Sequence, residues 1–349
     1  MTISLPSEAR VARVDDDLWR ATPLAALELA DIPSELHFVR DHFAAPDRDL
    51  ASWSLALTGC RRSVVLDLDG LRNLPRRALR VVLECAGHRR AEFEHVPKGI
   101  PWETGAVAEA RWAGASLAVL LELIGIPADA REVVLEGADA GEVDGFGGVH
   151  RFARSLPLTK ALERDVLLAY EMNGEPIASE RGGPVRAIVP GWYATDSVKW
   201  VDRIWFTDQE FAGVFQAHDY RLRAPGEPGL GRRMTELPAH ALITTPSHGQ
   251  ADLAAGDLSV RGIAWGGLPG VAAVLVRIDG GPWIPARLGP PRGTYARLPW
   301  ETRCTLPPGA HEIACRAIDR AGRSQPDRPP VNVRGYGNNA IHRIRLRTS

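Results

Sequence analysis

Lysine is almost missing from this sequence. Only Lys98, Lys160 and Lys199 stand against 39 arginines, so each of the three carries weight wherever an anion must be held. Sulfur is scarce too, with three methionines and four cysteines, the latter at 60, 85, 304 and 315 and with no Cys-x-x-Cys pair. That spacing offers neither a disulfide framework nor a closed zinc site, and it leads us to expect buried, reduced thiols in a cytoplasmic protein. Net charge is −1, which argues against the generally basic surface of a nucleic-acid or anionic-membrane binder. No apolar run approaches the roughly 20 residues of a membrane span. Residues 1–20 lack an apolar core and carry Asp15, Asp16 and Asp17, so no secretory signal is expected. Neither a membrane nor a nucleic acid is therefore an expected partner. No internal repeat is present.

What remains is ordinary globular material: 349 residues, 45% hydrophobic and 24% charged, with 34 glycines and 27 prolines. At roughly 150 residues per domain, that length suggests about two domains, each large enough for its own core. In the first two-thirds, Ser116 is placed to cap a helix whose Leu117, Leu120, Leu121 and Ile124 fall on one face. Another short helix is expected at 158–165. Short β-rich runs lie at 64–68, 79–84, 132–136, 185–189 and 200–206. Strands and helices do not alternate regularly, which favours α+β over a doubly wound sheet. Residues 223–236 (RAPGEPGLGRRMTE) read as a linker. Beyond them come strands and turns: 258–265, 271–278, 283–287, 295–298 and 312–319. Asp279-Gly280-Gly281 is a hairpin signal, and Ile344 and Leu346 alternate with Arg343, Arg345 and Arg347. The expected division is 1–230 and 231–349, the second domain an all-β, immunoglobulin-like sandwich.

The most informative stretch is 83–93 (LECAGHRRAEF). A cysteine ends a buried strand and a small-residue turn follows, then His88, Arg89 and Arg90. The commoner fate of a lone cysteine is inert burial. Two adjacent guanidiniums would favour its thiolate, which suits a nucleophile or a metal ligand. Cys85 and His88 alone do not make a zinc site.

Other segments join this one in a fixed order. They are Phe38-Val39-Arg40-Asp41-His42, Cys85-Ala86-Gly87-His88-Arg89-Arg90, Thr104-Gly105-Ala106 with Ala110-Arg111-Trp112-Ala113-Gly114, and 168–174 (LAYEMNG). Pro184-Val185-Arg186, Val189-Pro190-Gly191, Val198-Lys199-Trp200, Asp219-Tyr220, Val333-Arg334-Gly335 and Asn339-Ala340 follow. Together they resemble the sulfite oxidase family of molybdenum enzymes, over nearly the whole chain. The resemblance implies a mixed α/β molybdopterin domain followed by a dimerisation domain, and hence a homodimer. It implies that Cys85 gives a soft thiolate to the molybdenum of Mo-molybdopterin and leaves a face open to substrate. Cofactor contacts would come from Phe38, Val39, Arg40, Asp41, His42, Asp139, Arg181, Arg186, Ser197, Val198 and Lys199. Among these, Lys199 and Arg186 suit the phosphate, one as a point charge and one as a fork. The anion sulfite would be held by Arg40, Arg90 and Arg334, with Trp102 lining the pocket and Tyr220 beside the reacting oxygen. The family's nitrate-reducing members do not keep this full arginine set, so the set favours sulfite oxidation by oxygen-atom transfer. Two positions depart from the pattern: Arg181 replaces a usual histidine and His88 a usual asparagine. Only about 35 residues precede the first motif, too few for the haem domain of animal relatives, so an external acceptor is expected: dioxygen, a cytochrome or another carrier. The competing readings are a sister oxotransferase for nitrate or an S-oxide, and a scaffold that keeps the fold without turnover.

Overall fold

The computed structural model describes residues 18–47, 52–61, 64–250 and 253–349; most of the 1–20 segment behind the secretory-signal expectation lies outside them. The first strands are β1 (Ser54–Thr58), β2 (Val64–Asp67) and β3 (Arg76–Glu84). β3 starts with exposed arginines and ends on buried Val-Val-Leu-Glu, so it runs from solvent into the core. β4 (Val107–Ser116) is buried at every position except Arg111 and passes directly into α1 (Leu117–Ile124). Ser116 does precede that helix, but its hydroxyl makes no capping bond and is left buried without a partner. As the last residue of a central strand it is committed to the sheet, where it pairs with Leu167.

The long hairpin β5 (Glu132–Val143) and β6 (Phe146–Pro157) comes next, then β7 (Leu167–Met172), β8 (Arg186–Ile188) and β9 (Val201–Thr207). The helix expected at 158–165 shrinks to Leu158–Ala161. Its chain must turn at once to enter β7, and the Val166 N–H closes that turn on Glu163 O at 3.0 Å. One sheet is antiparallel, with β4 between β3 and β7 and with β8 also on β7. The other has the order β2-β1-β9-β5-β6 and is mixed, because β9 runs parallel to β1. This is the α+β part.

The remaining strands are β10 (His240–Thr245), β11 (Gly256–Trp265), β12 (Val271–Ile278), β13 (Ile284–Pro285), β14 (Arg287–Leu288), β15 (Leu298–Leu306), β16 (Gly309–Asp319) and β17 (His342–Thr348). They form two four-stranded sheets, β10-β11-β15-β14 and β13-β12-β16-β17. Ile243, Val260 and Trp300 from one sheet share a core with Val274, Ile313 and Ile344 from the other, the sandwich that the strand spacing implied. The run 283–287 is divided between the two sheets as β13 and β14, with Ala286 between them. The expected strand at 295–298 begins only at Leu298, since Tyr295 bridges to Val81 of the first sheet instead. Asp279 and Gly280 both take positive φ, 48° and 72°, as a tight hairpin turn requires.

Candidate active site

β3 delivers Cys85 to the start of a tight turn. The Cys85 N–H donates to Ala106 O at 2.9 Å, and the His88 N–H donates back to Cys85 O at 2.9 Å. Gly87 has to be glycine, because a Cβ there would lie 2.6 Å from the Arg90 guanidinium. Arg89 follows with φ of 58°, a left-handed conformation that costs a side-chain-bearing residue roughly 1–2 kcal/mol. Cys85 itself is 8% exposed and faces a cavity of about 630 Å³.

The structure corrects one electrostatic expectation. Burial pushes the Cys85 thiol above its ordinary value, outweighing the Gly87 N–H and the guanidiniums of Arg40 and Arg90 that favour the thiolate. Arg89 takes no part, because its guanidinium points away. It forks onto Glu92 at 2.8 and 2.5 Å and donates to Ala340 O at 2.6 Å.

Phe38, Arg40, Asp41, His42, Asp139, Arg186, Ser197, Lys199 and Tyr220 line the cavity together with Cys85. The other expected site residues lie off its wall. Val39 pairs with Arg20 in a short strand, and Val198 packs in the core behind the second sheet. Trp102 is edge-on to Phe38, with ring centroids 6.4 Å apart, so Phe38 stands in front of it. Arg181 turns its guanidinium onto the backbone, donating to the carbonyls of His37, Phe38 and Glu35. It therefore supports the 35–38 segment rather than reaching into the cavity. Arg90 donates to Ile100 O at 2.7 Å and Arg334 O at 3.0 Å. The Arg334 side chain is half-exposed and pairs with Asp219 at 3.7 Å.

Inside the cavity, the Lys199 ammonium is bonded to the Asp41 carboxylate. Arg186 donates to Arg181 O at 2.8 Å and Ser197 O at 3.2 Å, and its guanidinium lies 5.0 Å from the Trp112 ring centre. Burial lowers Lys199 and brings Arg186 down to about 10, which leaves Arg186 charged at neutral pH. Burial drives the Asp139 carboxyl up to about 7. Tyr220 Oη lies 2.6 Å from His42 Nε2. Burial holds the imidazole well below its usual value and raises the phenol, so the ring is neutral and the hydroxyl keeps its proton. Tyr220 is held in place by stacking on Tyr336 at 5.4 Å and by the Arg154 guanidinium 5.6 Å away.

Several buried polar atoms of the lining have no partner: Asp139 Oδ1, His37 Nε2, Thr195 Oγ1 and Arg186 Nε. Such atoms are costly unless a ligand meets them. Acceptors, donors, a thiol and a cationic wall together suit a large polar molecule that carries a phosphate and a metal, and Mo-molybdopterin fits that description. Among the described residues no group of three or more His, Cys, Asp or Glu side chains is arranged to hold a metal ion. Cys85 can hold one here only beside a cofactor that brings its own donors. Sequence reasoning missed His37, Thr195 and Arg154. The first two adjoin motif segments; Arg154 offered only the faint signal of one arginine in the run 152–156.

Residues 42–215 match the family model for the oxidoreductase molybdopterin binding domain, and residues 232–349 the Mo-co oxidoreductase dimerisation domain. The chain is 36% identical to mitochondrial sulfite oxidase of Homo sapiens over 341 residues, covering 91% of this chain and 62% of that protein. It thus spans about six-tenths of that relative's length. Sulfite oxidase of Arabidopsis thaliana is 32% identical over 347 residues, with 90% and 88% covered. Nitrate reductase [NADH] 1 of Oryza sativa is 33% identical over 349 residues, with 90% and 38% covered. Among solved structures, the sulfane dehydrogenase SoxCD from Paracoccus pantotrophus superposes with a TM-score of 0.82 at 27% identity, covering 95% of this chain and 85% of that one.

Proposed function

Because this chain belongs to the sulfite oxidase family of molybdopterin oxidoreductases, we propose that it oxidises sulfite to sulfate and passes the electrons to an external acceptor. One observation carries the reading: a buried thiol shares a cavity with Arg40, Arg186, Lys199 and a protonated Tyr220. When bound, Mo-molybdopterin supplies two-electron oxygen-atom-transfer chemistry. Cys85 is the metal ligand, as a soft thiolate suits a high-valent metal. Arg186 and Lys199 hold the phosphate, and the unpartnered Asp139 oxygen accepts a hydrogen bond from the pterin. Arg40 meets the substrate dianion with a charge-assisted bond in a partly dry site. Tyr220 donates its hydroxyl hydrogen toward the reacting anion, aligned by neutral His42. Arg90 and Arg334 complete the anion site from its rim. Trp102 backs Phe38, and Val39, Val198 and Arg181 act by shaping the wall.

The names of two relatives supply the rival substrates, nitrate and a sulfane sulfur. Metal analysis and turnover separate the readings. Purified protein should hold about one molybdenum per chain and reduce ferricyanide with sulfite faster than with thiosulfate, and it should reduce nitrate poorly with a viologen donor. Cys85→Ser should keep the fold and lose turnover, and wild-type rates in that variant would remove Cys85 from its role. The reading extends to assembly and location: a domain boundary near residue 230, a two-fold homodimer through the second domain, and residence in the cytoplasm.

A further inference from the structure

The Cys85 turn is held from the far end of the chain. Gly337 N–H donates to Ala86 O at 2.8 Å. Asn338, 1% exposed, donates its Nδ2 hydrogen to Arg89 O at 2.9 Å, while its Oδ1 accepts from the Ala340 N–H at 3.1 Å. Arg89 answers by donating to Ala340 O and Ile341 O at 2.6 and 3.3 Å. The two segments therefore grip each other at the one residue of the turn that sits in the left-handed region. Without the Asn338 donor, the Arg89 carbonyl is buried with its bond broken, and the strained peptide loses a reason to stay. Arg89 would then relax toward the ordinary right-handed region, rotating the turn that begins at Cys85.

We propose that Asn338 is a positioning residue for the Cys85 thiol, setting the direction of its Sγ by fixing the Arg89 peptide. This rests on the reading that Cys85 is the metal ligand, but it is tested on the thiol itself. The full-length chain, produced without cofactor, is treated with iodoacetamide at pH 8, and labelling of Cys85 is measured by mass spectrometry against partly exposed Cys304 in the same molecules. Asn338→Asp is nearly isosteric and keeps the acceptor for Ala340 but loses the donor to Arg89; Asn338→Ala loses both. Val276→Ala, in the core of the second domain, controls for general loosening, and each variant's melting temperature is recorded.

Both Asn338 variants should raise Cys85 labelling about tenfold, the population change for one buried hydrogen bond at about 1.4 kcal/mol per factor of ten. Val276→Ala should lower the melting temperature without that rise. Labelling of Asn338→Asp within about twofold of wild type, or an equal rise in Val276→Ala, would overturn the proposal. In the loaded enzyme, Asn338→Asp should also shift the thiolate-to-molybdenum absorption band. Wild type that takes up no molybdenum from molybdenum-replete cells would instead sink the cofactor reading and leave the labelling result standing.

Discussion

Arg334 is drawn in two directions. In the structure its guanidinium faces Asp219 at 3.7 Å from a half-exposed position, whereas the proposed function needs it at the substrate anion. A solvent-exposed pair of this length contributes about 0–1 kcal/mol to stability. A charge-assisted bond to substrate contributes about 1.5–3 kcal/mol. Arg334→Met should therefore leave the melting temperature nearly unchanged and lower kcat/KM for sulfite by about ten- to hundredfold, mainly through KM and more strongly at low salt. A lower melting temperature with an unchanged KM would make Arg334 a domain-junction pair only. Asp139 offers a pH test. Its folded-state pKa is raised to about 7, so the folded chain binds this proton more tightly than the unfolded one. That contribution is full below about pH 4 and is lost as pH rises, through about 7 in the folded state. The melting temperature of cofactor-free wild type should fall across that window relative to Asp139→Asn, by the equivalent of a few kcal/mol. Parallel profiles would mean that Asp139 is not a strained acid. Cys85, Arg40 and Tyr220 could be found from residue type and motif alone. That Arg181 would hold backbone carbonyls could not, because the path of the 35–38 segment decides it.

Among elements, the second domain was the more legible. Its β12 and β17 alternate or run apolar between clear turns, and the Asp279-Gly280 turn fell where expected. In the first domain β4 escaped notice because it alternates nothing: Ala, Gly and Trp are buried on both faces, as in a central strand. Gly114 within it is required by close approach, since a Cβ would lie 2.1 Å from Leu168 O. The hairpin β5–β6 was seen only at its first five residues. Its remainder is rich in Gly, Ala and charge, and it is held as strand by pairing rather than by propensity. The same pairing brings Asp139 and Phe152 to the cavity wall, where local pattern gave no hint of them.

The proposed dimer belongs to the scale of the whole molecule. Sedimentation at micromolar concentration should give twice the chain mass, and a monomeric mass would refute association through residues 232–349. The grip between Asn338 and Arg89 joins positions 249 apart in sequence, and this bears on when the protein can be completed. A ribosome adds about 5–20 residues per second, so the Cys85 segment is synthesised well before its distant partner exists. During that interval the turn has no Asn338 to hold it. Loading of the cofactor is then a late event, gated by the arrival of the C-terminal segment rather than by the folding of the domain that contains the thiol. Nascent chains stalled before residue 338 should accordingly carry no molybdenum, while released chains from the same cells carry it; metal on the stalled chains would show that the early domain is finished without its clasp.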